Sequence, residues 1–402
     1  MTKLVPFLLL LATLCFCQHA NAQVEVSSTA GTTSPTNYTT LKAALDAINA
    51  GTHQGTVTVS ISANTIETAP ATLNSGDAAP AAYSSVLIRP VTDGVSVSLP
   101  TSQGFGVIQL KGADNVTIDG DNPNTVGVNR NLTIQNAAAA TTTYTSVIRI
   151  ANAASVTSSN NITLKNLVIT GNADGLNLST ATSTTGSENT SFGIYAGGNG
   201  GTTQTDAPTA ISSVTTNSAP NATTINNLVI HNNVVNACAR GIVFNGANAT
   251  VSTDVSISDN TIGGTGTLSG TAPFTSPLTT VYTKGIYVSG TTSVSISGNT
   301  LRNIISYVAT PVHAIELASA IGSGPVEITN NTINGVVNNG ANSNAPKGIV
   351  VTNAVAGYTV SGNTISNIQW MGSTTTATQS VCAIYMAAPF RPIRSKHHNR
   401  SL

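Results

Sequence analysis

The sequence carries very little charge. Only 7% of its 402 residues are Asp, Glu, Lys or Arg, whereas roughly a quarter is usual for soluble domains. The formal net charge is zero and no basic stripe recurs, so we expect no nucleic-acid partner and few cations to hold an acidic polymer. Hydrophobic residues nevertheless make up 40%, with Val and Ile in ordered alternation. This combination favours a folded, β-rich chain over a disordered one.

Long apolar segments are absent beyond the N-terminus. There, Lys3 precedes an apolar run from Phe7 to Cys17, and Ala20-Asn21-Ala22 resembles a small-residue cleavage site. The run is too short to span a bilayer, and the pattern is typical of an export signal. We therefore predict a signal peptide at 1–22, cleaved near Ala22. The product is expected to be secreted or to lie on the outer cell surface, without a membrane span.

Cysteine is also scarce. Only Cys238 and Cys382 remain in the predicted mature chain, far apart in sequence and on different repeats. Spacing alone does not decide whether they pair, and two small buried side chains are the simpler interpretation because free cysteine is often buried. No cofactor is indicated, and His397-His398 has no third ligand near it in sequence, so no metal site is indicated either.

The chain does contain a repeated eight-residue segment. Val255-Ser-Ile-Ser-Asp-Asn-Thr-Ile262 returns with small changes at 294–301, 326–333 and 358–365. Successive copies are 39, 32 and 32 residues apart, and a repeat period of that length is typical of a stacked solenoid. The aligned asparagines are expected to turn a corner in the left-handed backbone region and to form an amide ladder rather than bind a ligand; they are Asn260, Asn299, Asn331 and Asn363.

A second short strand recurs between copies of the first, at 192–195, 240–244, 284–288, 313–317, 347–351 and 381–386. Paired hairpin turns for a propeller and a leucine frame for a leucine-rich repeat are both missing. In each strand the apolar residues alternate with Ser or Thr, as expected if one set fills a core and the other faces outward. The pattern predicts an all-β parallel β-helix.

One helix is predicted before the strands, at Thr39–Asn49. Leu41, Leu45 and Ile48 share one face, and Gly51 follows as a stop signal. A short amphipathic helix at this point would cover the open apolar end of the first coil. We predict a lead segment and capping helix at 23–55 and a β-helix at 56–388.

The final residues depart from the repeat. Phe390–Leu402 carries four of the 15 Lys and Arg and two of the six His. We predict that 389–402 is a basic tail created by truncation or a frame shift, and that the natural solenoid continues. A disordered basic tail on a complete protein is the alternative.

The repeated strands resemble a known superfamily. The segment Asn115–Gly120, the repeated V-S-I-S-x-N-T-I strands and the G-I-Y strands are similar to the right-handed parallel β-helix repeats of the pectin-lyase-like superfamily. With the export signal and the L-K-A-A-L-D-A-I-N-A-G helix, the chain resembles large surface proteins of gliding-type bacteria. That resemblance, over roughly residues 35–388, implies a right-handed coil and export by bacterial secretion machinery. It does not select an activity, because the superfamily contains both enzymes and non-enzymes.

Catalytic residues are hard to find. The N-T-D, D-D, G-H-G and R-I-K strings of polygalacturonase-type hydrolases are absent. Asp119 and Asp121 flank a glycine and form a conceivable carboxylate pair, although a solvated turn is the simpler interpretation. Asp254 and Asp259 share a coil with Arg240, the nearest approach to a calcium-dependent lyase site, and also fit turn positions.

The second strand type gives the more specific hypothesis. If its isoleucines face inward, the following residues form one outward row along the stack: Tyr195, Val243, Tyr287, Glu316, Val350 and Tyr385. Exposed tyrosines on a flat sheet are suitable platforms for sugar rings, although tyrosine also suits an ordinary β-surface. His313 and Glu316 are the only acid–base-capable pair on this row, and simple alternation places them on opposite faces unless His313 belongs to the turn.

Two functions therefore remain open. The first is a secreted, non-catalytic β-helix with an adhesive or glycan-binding role, using Tyr195, Tyr287, Glu316 and Tyr385. The second is a carbohydrate-active enzyme, a polysaccharide lyase or glycoside hydrolase, for which Asp119, Asp121 and Glu316 are the catalytic candidates. The partner expected in either case is a polysaccharide or cell-surface glycan.

Overall fold

The structure is a computed structural model that describes residues 22–139, 142, 144–152, 158–172, 191–197, 224–246, 252–264, 281–306, 311–318, 322, 324–338, 345–352, 358–371 and 380–387. The signal peptide predicted at 1–22, apart from Ala22, and the basic tail predicted at 389–402 lie outside these residues. Within them the chain is nearly all β, with a single helix. No helix in this part of the chain has the length and apolar character needed to cross a membrane.

An 11-stranded sheet forms one side of the molecule. Its first strand, β1, pairs antiparallel with β2 and β3, and all later neighbours are parallel. The strands are β1 (Val24–Gly31), β2 (Thr36–Tyr38), β3 (His53–Ile61), β6 (Tyr83–Pro90), β9 (Val116–Asp119), β12 (Ser158–Lys165), β15 (Thr224–His231), β18 (Thr253–Ser258), β21 (Val294–Ser297), β24 (Val326–Thr329) and β27 (Tyr358–Ser361).

An 18-stranded sheet contains the remaining strands. One half of them follows directly after the strands of the first sheet: β4 (Thr65–Ile66), β7 (Val95–Leu99), β10 (Leu132–Asn136), β13 (Leu167–Thr170), β16 (Val234–Asn236), β19 (Thr261–Ile262), β22 (Thr300–Ser306), β25 (Thr332–Asn338) and β28 (Thr364–Trp370). The other half, called the third strands below, comprises β5 (Ala71–Asn74), β8 (Gly106–Lys111), β11 (Thr145–Ala151), β14 (Ser191–Gly197), β17 (Cys238–Asn245), β20 (Val281–Ser289), β23 (His313–Leu317), β26 (Lys347–Val351) and β29 (Cys382–Met386).

Strands β3 to β29 fall into nine successive triplets, each with one strand in the 11-stranded sheet and two in the 18-stranded sheet. Each strand pairs in parallel with the strand three places later, for example β18 with β21 and β20 with β23. A triplet is therefore one coil, and coils stack in register. The predicted β-rich, parallel-stranded architecture is present, and this pairing is compatible with a β-helix.

The core follows from the alternation in the sequence. In β18, Val255 and Ile257 are buried while Ser256 and Ser258, which alternate with them, lie toward the surface. The same residues stack coil on coil, since Ile257 pairs with Ile296 and Ile296 with Ile328. Stacked Val, Ile and Leu form one continuous cluster from the first coil to the last. Burial of these apolar columns is the main stabilising contribution expected for such a fold.

The helix α1 spans Leu41–Asn49, close to the predicted range. Thr40 is its N-cap and accepts a hydrogen bond from the Ala43 N–H at 3.1 Å. The buried Glu67 carboxylate accepts from the Leu41 and Lys42 N–H groups at 3.0 and 2.9 Å. These acceptors satisfy N–H groups that a helix N-terminus leaves unpaired.

A ladder of buried asparagine amides runs along the stack. The Nδ2 of Asn260 donates to the Oδ1 of Asn299 at 3.0 Å, and the pattern repeats to Asn331 and Asn363 at 2.9 Å. Each Nδ2 also donates to a backbone carbonyl of the preceding coil, such as Ile230 for Asn260. Asn233 extends the ladder by one coil, donating to Asn260 at 2.9 Å.

These asparagines do not adopt the left-handed conformation that the sequence suggested for them. The positive φ belongs to the residue just before each one: Asp259, Gly298, Asn330 and Gly362, at 56°, 66°, 56° and 66°. Two adjacent residues therefore share the work that the sequence assigned to the asparagine alone. One residue turns the backbone, where Asn, Asp and Gly are the usual choices, and the next places its amide in the ladder.

Candidate functional site

The outward row predicted for the third strands is present in the pairing of the sheet. Tyr195 pairs with Val243, Val243 with Tyr287, and Tyr287 with Glu316. The row continues through Val350 to Tyr385. In the other direction it reaches Arg149, which pairs with Tyr195. These residues follow one another at the strand spacing of about 4.8 Å.

His313 and Glu316 lie on the same outer face, contrary to the expectation from simple alternation. The strand pairing passes over Ala314: His313 pairs with Lys347 and Ile315 with Ile349. Ala314 and Ile315 both belong to the buried core. Because two consecutive residues turn inward at this bend, the residues on either side both remain outside. His313 and Glu316, although three residues apart, are therefore neighbours on this face.

Two of the three tyrosines are buried rather than exposed. Tyr195 is 3% exposed and Tyr287 is 7% exposed. Phe192 packs edge-on against Tyr195, and the Arg149 guanidinium lies 5.1 Å from the centre of the Tyr195 ring. The Arg240 guanidinium lies 5.9 Å from the Tyr287 ring. Neither ring offers a free face, so the expectation of an open row of aromatic platforms does not hold at these two positions.

Tyr385 differs from the other two. It lies on β29, the last strand that the structure describes, where it is 44% exposed and the neighbouring Ile384, in register with the core residue Ile349, is also 43% exposed. The Lys347 Nζ lies 5.2 Å from its ring centre. Lys347 itself donates to the carbonyl of Ala345 at 3.3 Å. An exposed ring with a cation along one side combines apolar contact with a polar donor.

Three charged or titratable side chains converge between Tyr287 and Tyr385. The Oε2 of Glu316 contacts the Nδ1 of His313 at 2.6 Å and forms an ion pair with the Nζ of Lys284. The Nζ also lies 2.8 Å from Nδ1. Nδ1 therefore has two possible roles: it donates to Glu316 when it carries the imidazole proton, and it accepts from Lys284 when it does not. The exposed fractions are 8% for the Lys284 side chain and 13% for Glu316.

The electrostatics of this cluster keep its carboxylate charged and its imidazole neutral. Burial raises the pKa of Glu316, but the Lys284 charge and the His313 hydrogen bond outweigh it and hold the pKa well below its usual range. Burial and the Lys284 charge lower the pKa of His313 from 6.5 to about 4. Burial and the Glu316 charge raise the pKa of Tyr287 to about 12. In general, a nearby opposite charge favours the ionised form of a group, whereas a like charge or burial disfavours it.

Cations concentrate on the third strands, which the composition did not foretell. Five of the ten Lys and Arg that the structure describes lie there, beside Glu316 as the one carboxylate on the described third strands; they are Lys111, Arg149, Arg240, Lys284 and Lys347. All five are buried. Burial lowers the pKa of Arg149 to about 10. The third-strand face is therefore the electrostatically distinctive side of the described chain.

The other candidate carboxylates are held within turns. One oxygen of Asp119 accepts from the Asp121 N–H at 3.0 Å, and the other lies 3.0 Å from the Lys165 Nζ. Asp121 in turn accepts from the Asn129 N–H at 2.8 Å. Each carboxylate thus has a local partner in this part of the fold.

Asp254 is the second residue of β18 and Asp259 directly follows this strand of the 11-stranded sheet; both have φ of 56°. Arg240 lies on β17, a third strand of the other sheet. The structure therefore separates these carboxylates from the cation that the sequence grouped with them.

Both remaining cysteines are free thiols, Cys238 buried and Cys382 partly buried. Burial raises the pKa of Cys238 to about 12. Among the described residues, no group of three or more His, Cys, Asp or Glu is arranged to hold a metal ion.

Comparison with protein-family models finds no match, and comparison with curated proteins finds none either.

Proposed function

We propose that this chain is an exported, right-handed parallel β-helix that binds glycan on the outer face of its third strands, without catalysing a reaction on it. We propose that it is related to the pectin-lyase-like superfamily and to surface proteins of gliding-type bacteria, which its repeats resemble. Bacterial secretion machinery and a polysaccharide or cell-surface glycan are the partners it implies. The three-strand coils and the asparagine ladder support the β-helix part of the proposal.

The proposal also assigns a capping role to helix α1. Its apolar face, formed by Leu41, Ala44, Leu45 and Ile48, is buried in the same cluster as the stacked strands. Glu67 holds the helix N-terminus from the first coil. A helix in this position removes apolar surface from water at the end of the stack.

The observation that carries the glycan proposal is the exposed Tyr385 ring beside Lys347, in register with Glu316. Sugar rings present apolar C–H faces and polar rims. A tyrosine face suits the first, while an ammonium and a carboxylate suit the second. All three groups belong to one outer face, spaced by the stacking of coils.

A glycan array probed with the full chain tests the proposal. Binding to one or more glycans is expected, and Tyr385→Ala should weaken it at least about tenfold, the loss of roughly 1.4 kcal/mol. Tyr358→Phe is the control, since Tyr358 begins β27 in the other sheet and phenylalanine keeps the ring that packs against the core. Equal binding by Tyr385→Ala and wild type, or an array without signal, would overturn the proposal.

An enzyme is the second candidate function, favoured by the contact of His313 with Glu316 at 2.6 Å. A carboxylate that orients an imidazole is a common acid–base arrangement. Incubation with pectins, alginates and glycosaminoglycans should release reducing or unsaturated ends if this candidate is correct. If such ends are released by the wild type and not by Glu316→Gln, the chain is a lyase or hydrolase and the binding proposal is wrong.

A further inference from the structure

The last coil that the structure describes has a partly exposed apolar interior. It comprises β27, β28 and β29, which pair with β24, β25 and β26 of the coil before it. The residues that point inward in that preceding coil are buried, whereas those in register with them in the last coil are not. Together they form an apolar surface, called the last-coil face below: Tyr358, Val360, Ile365, Ile368, Ile384 and Met386.

The backbone of the last coil is oriented toward a further neighbour. Along the ladder, the N–H of each asparagine donates to the side chain of the asparagine in the next coil, from Asn299 to Asn331 at 3.0 Å and from Asn331 to Asn363 at 2.9 Å. By the same pattern, the N–H of Asn363 points away from the stack. β27 is the last strand of the 11-stranded sheet, and no strand follows β29 within the described residues. Strand edges therefore surround the apolar centre of the last-coil face.

This edge lacks the features that commonly keep strand edges from pairing. Charged side chains, proline and very short edge strands serve that purpose in many sheets. The strands β27, β28 and β29 contain no Asp, Glu, Lys, Arg or Pro. At the other end of the stack, α1 buries its apolar face in the core cluster, and the three-residue β2 lies at the edge of the sheet. Of the two ends of the described stack, the last coil is thus the one suited to pairing.

We infer that the last-coil face docks against the last-coil face of a second copy of this chain, which gives a dimer with two-fold symmetry. The contact continues the coil-on-coil packing that already joins every coil to the next. A second copy offers the same face, because α1 covers the other end of its stack. A two-fold axis across the stack reverses the strand direction, so the edges meet antiparallel, an arrangement in which strands also form regular hydrogen bonds. Neither face brings a charge that would have to lose its water.

This dimer goes beyond the proposed glycan binding and does not depend on it. Tyr385 belongs to the outward row with Glu316 and Val350, so its ring lies at the rim of the last-coil face and not in the apolar centre. A dimer would carry two copies of the proposed site on one particle, an arrangement that strengthens attachment to a polymer or surface with repeated ligands.

Sedimentation velocity of the full chain over a series of concentrations tests the inference. We expect a monomer–dimer equilibrium. Ile384→Lys should raise its Kd at least about tenfold, because it places a charge in the apolar interface. Ile66→Lys is the matched control, since Ile66 is 75% exposed and lies on β4 in the first coil; its Kd should equal that of the wild type. Melting curves show whether both variants remain folded.

Hydrogen exchange of the wild type locates the interface without any substitution. Amide hydrogens of β27, β28 and β29 should exchange more slowly as the chain dimerises, while those of β2 keep their rate. A monomer at every concentration, or a dimer that the folded Ile384→Lys variant leaves intact, would overturn the inference. So would slow exchange on the last coil that is the same in monomer and dimer, because the chain would then cover its own last-coil face.

Discussion

Lys284 and Glu316 form a largely buried ion pair between neighbouring third strands, although Lys284 pairs in register with His313 rather than with Glu316. The bend at Ala314 makes this diagonal contact possible, because it returns Glu316 to the outer face beside His313. A buried carboxylate deprived of its cation is strongly destabilising. The Lys284–Glu316 pair therefore both stabilises the fold and keeps the Glu316 carboxylate ionised.

Replacing Lys284 by Met should raise the pKa of Glu316 toward its ordinary value, because burial then acts without the compensating charge. We expect a loss of unfolding free energy on the order of 3 kcal/mol, measured by chemical denaturation at neutral pH. A carboxyl-carbon NMR titration follows the pKa directly. Lys165→Met removes the partly exposed pair with Asp119 and should cost less than about 1 kcal/mol. Equal costs would show that the Lys284 pair has no special role.

Stability should fall on acidification between pH 6.5 and about 4. The folded-state pKa of His313 lies below its ordinary value of 6.5, at about 4. The unfolded chain therefore binds more protons than the folded chain in this window, so the stabilising contribution is complete above pH 6.5 and is lost toward pH 4. Its size is on the order of 3 kcal/mol.

Denaturation midpoints across that window check the pH dependence. His313→Gln should flatten the profile, whereas His231→Gln, at a more exposed histidine, should leave the slope largely unchanged. A His313→Gln profile as steep as that of wild type would refute the assignment.

The asparagine ladder should contribute strongly to stability. Asn299→Ala leaves the Asn260 amide groups and the Ile257 carbonyl without their side-chain partner, which predicts a cost on the order of 3 kcal/mol. Asn334→Ala also removes one asparagine contact, to Asn367, but on the exposed surface. That control should lower the unfolding free energy by less than about 1 kcal/mol. Thermal or chemical unfolding of both variants makes the comparison.

The corner before each ladder asparagine should accept glycine and resist residues with a β-carbon. Asn330 has φ of 56°, and glycine holds the same position at Gly298 and Gly362. Asn330→Gly is expected to change the unfolding free energy by less than about 0.5 kcal/mol. Asn330→Ala should cost about 1 kcal/mol because alanine tolerates this region poorly. A larger cost for glycine than for alanine would contradict the assigned conformation.

The repeat made much of the architecture predictable. Because Val255, Ile257 and Asn260 recur with their neighbours, the sequence defines the strand, its inward face and the amide position. The conformation at Asp259 was harder to assign, since Asn and Asp both suit a left-handed corner and stand side by side. The third-strand row was predictable for the same reason, from the recurring isoleucine.

The site itself depends on features that no single strand contains. Burial of Tyr195 involves Arg149 on the adjacent strand, and alternation alone leaves the ring outside. The contact between His313 and Glu316 depends on the inward turn of both Ala314 and Ile315, which breaks the period of two. Cross-coil partners and a bend are tertiary properties, so a reading of each strand in isolation does not show them.

Hydroxyl-radical footprinting with a bound glycan tests the central claim most directly, by measuring oxidation of each tyrosine with and without ligand. The account predicts that glycan protects Tyr385 on the third-strand face and leaves Tyr358, on the other sheet, unchanged. Unaltered oxidation of Tyr385 while the glycan is bound, or protection confined to Tyr358, would contradict it.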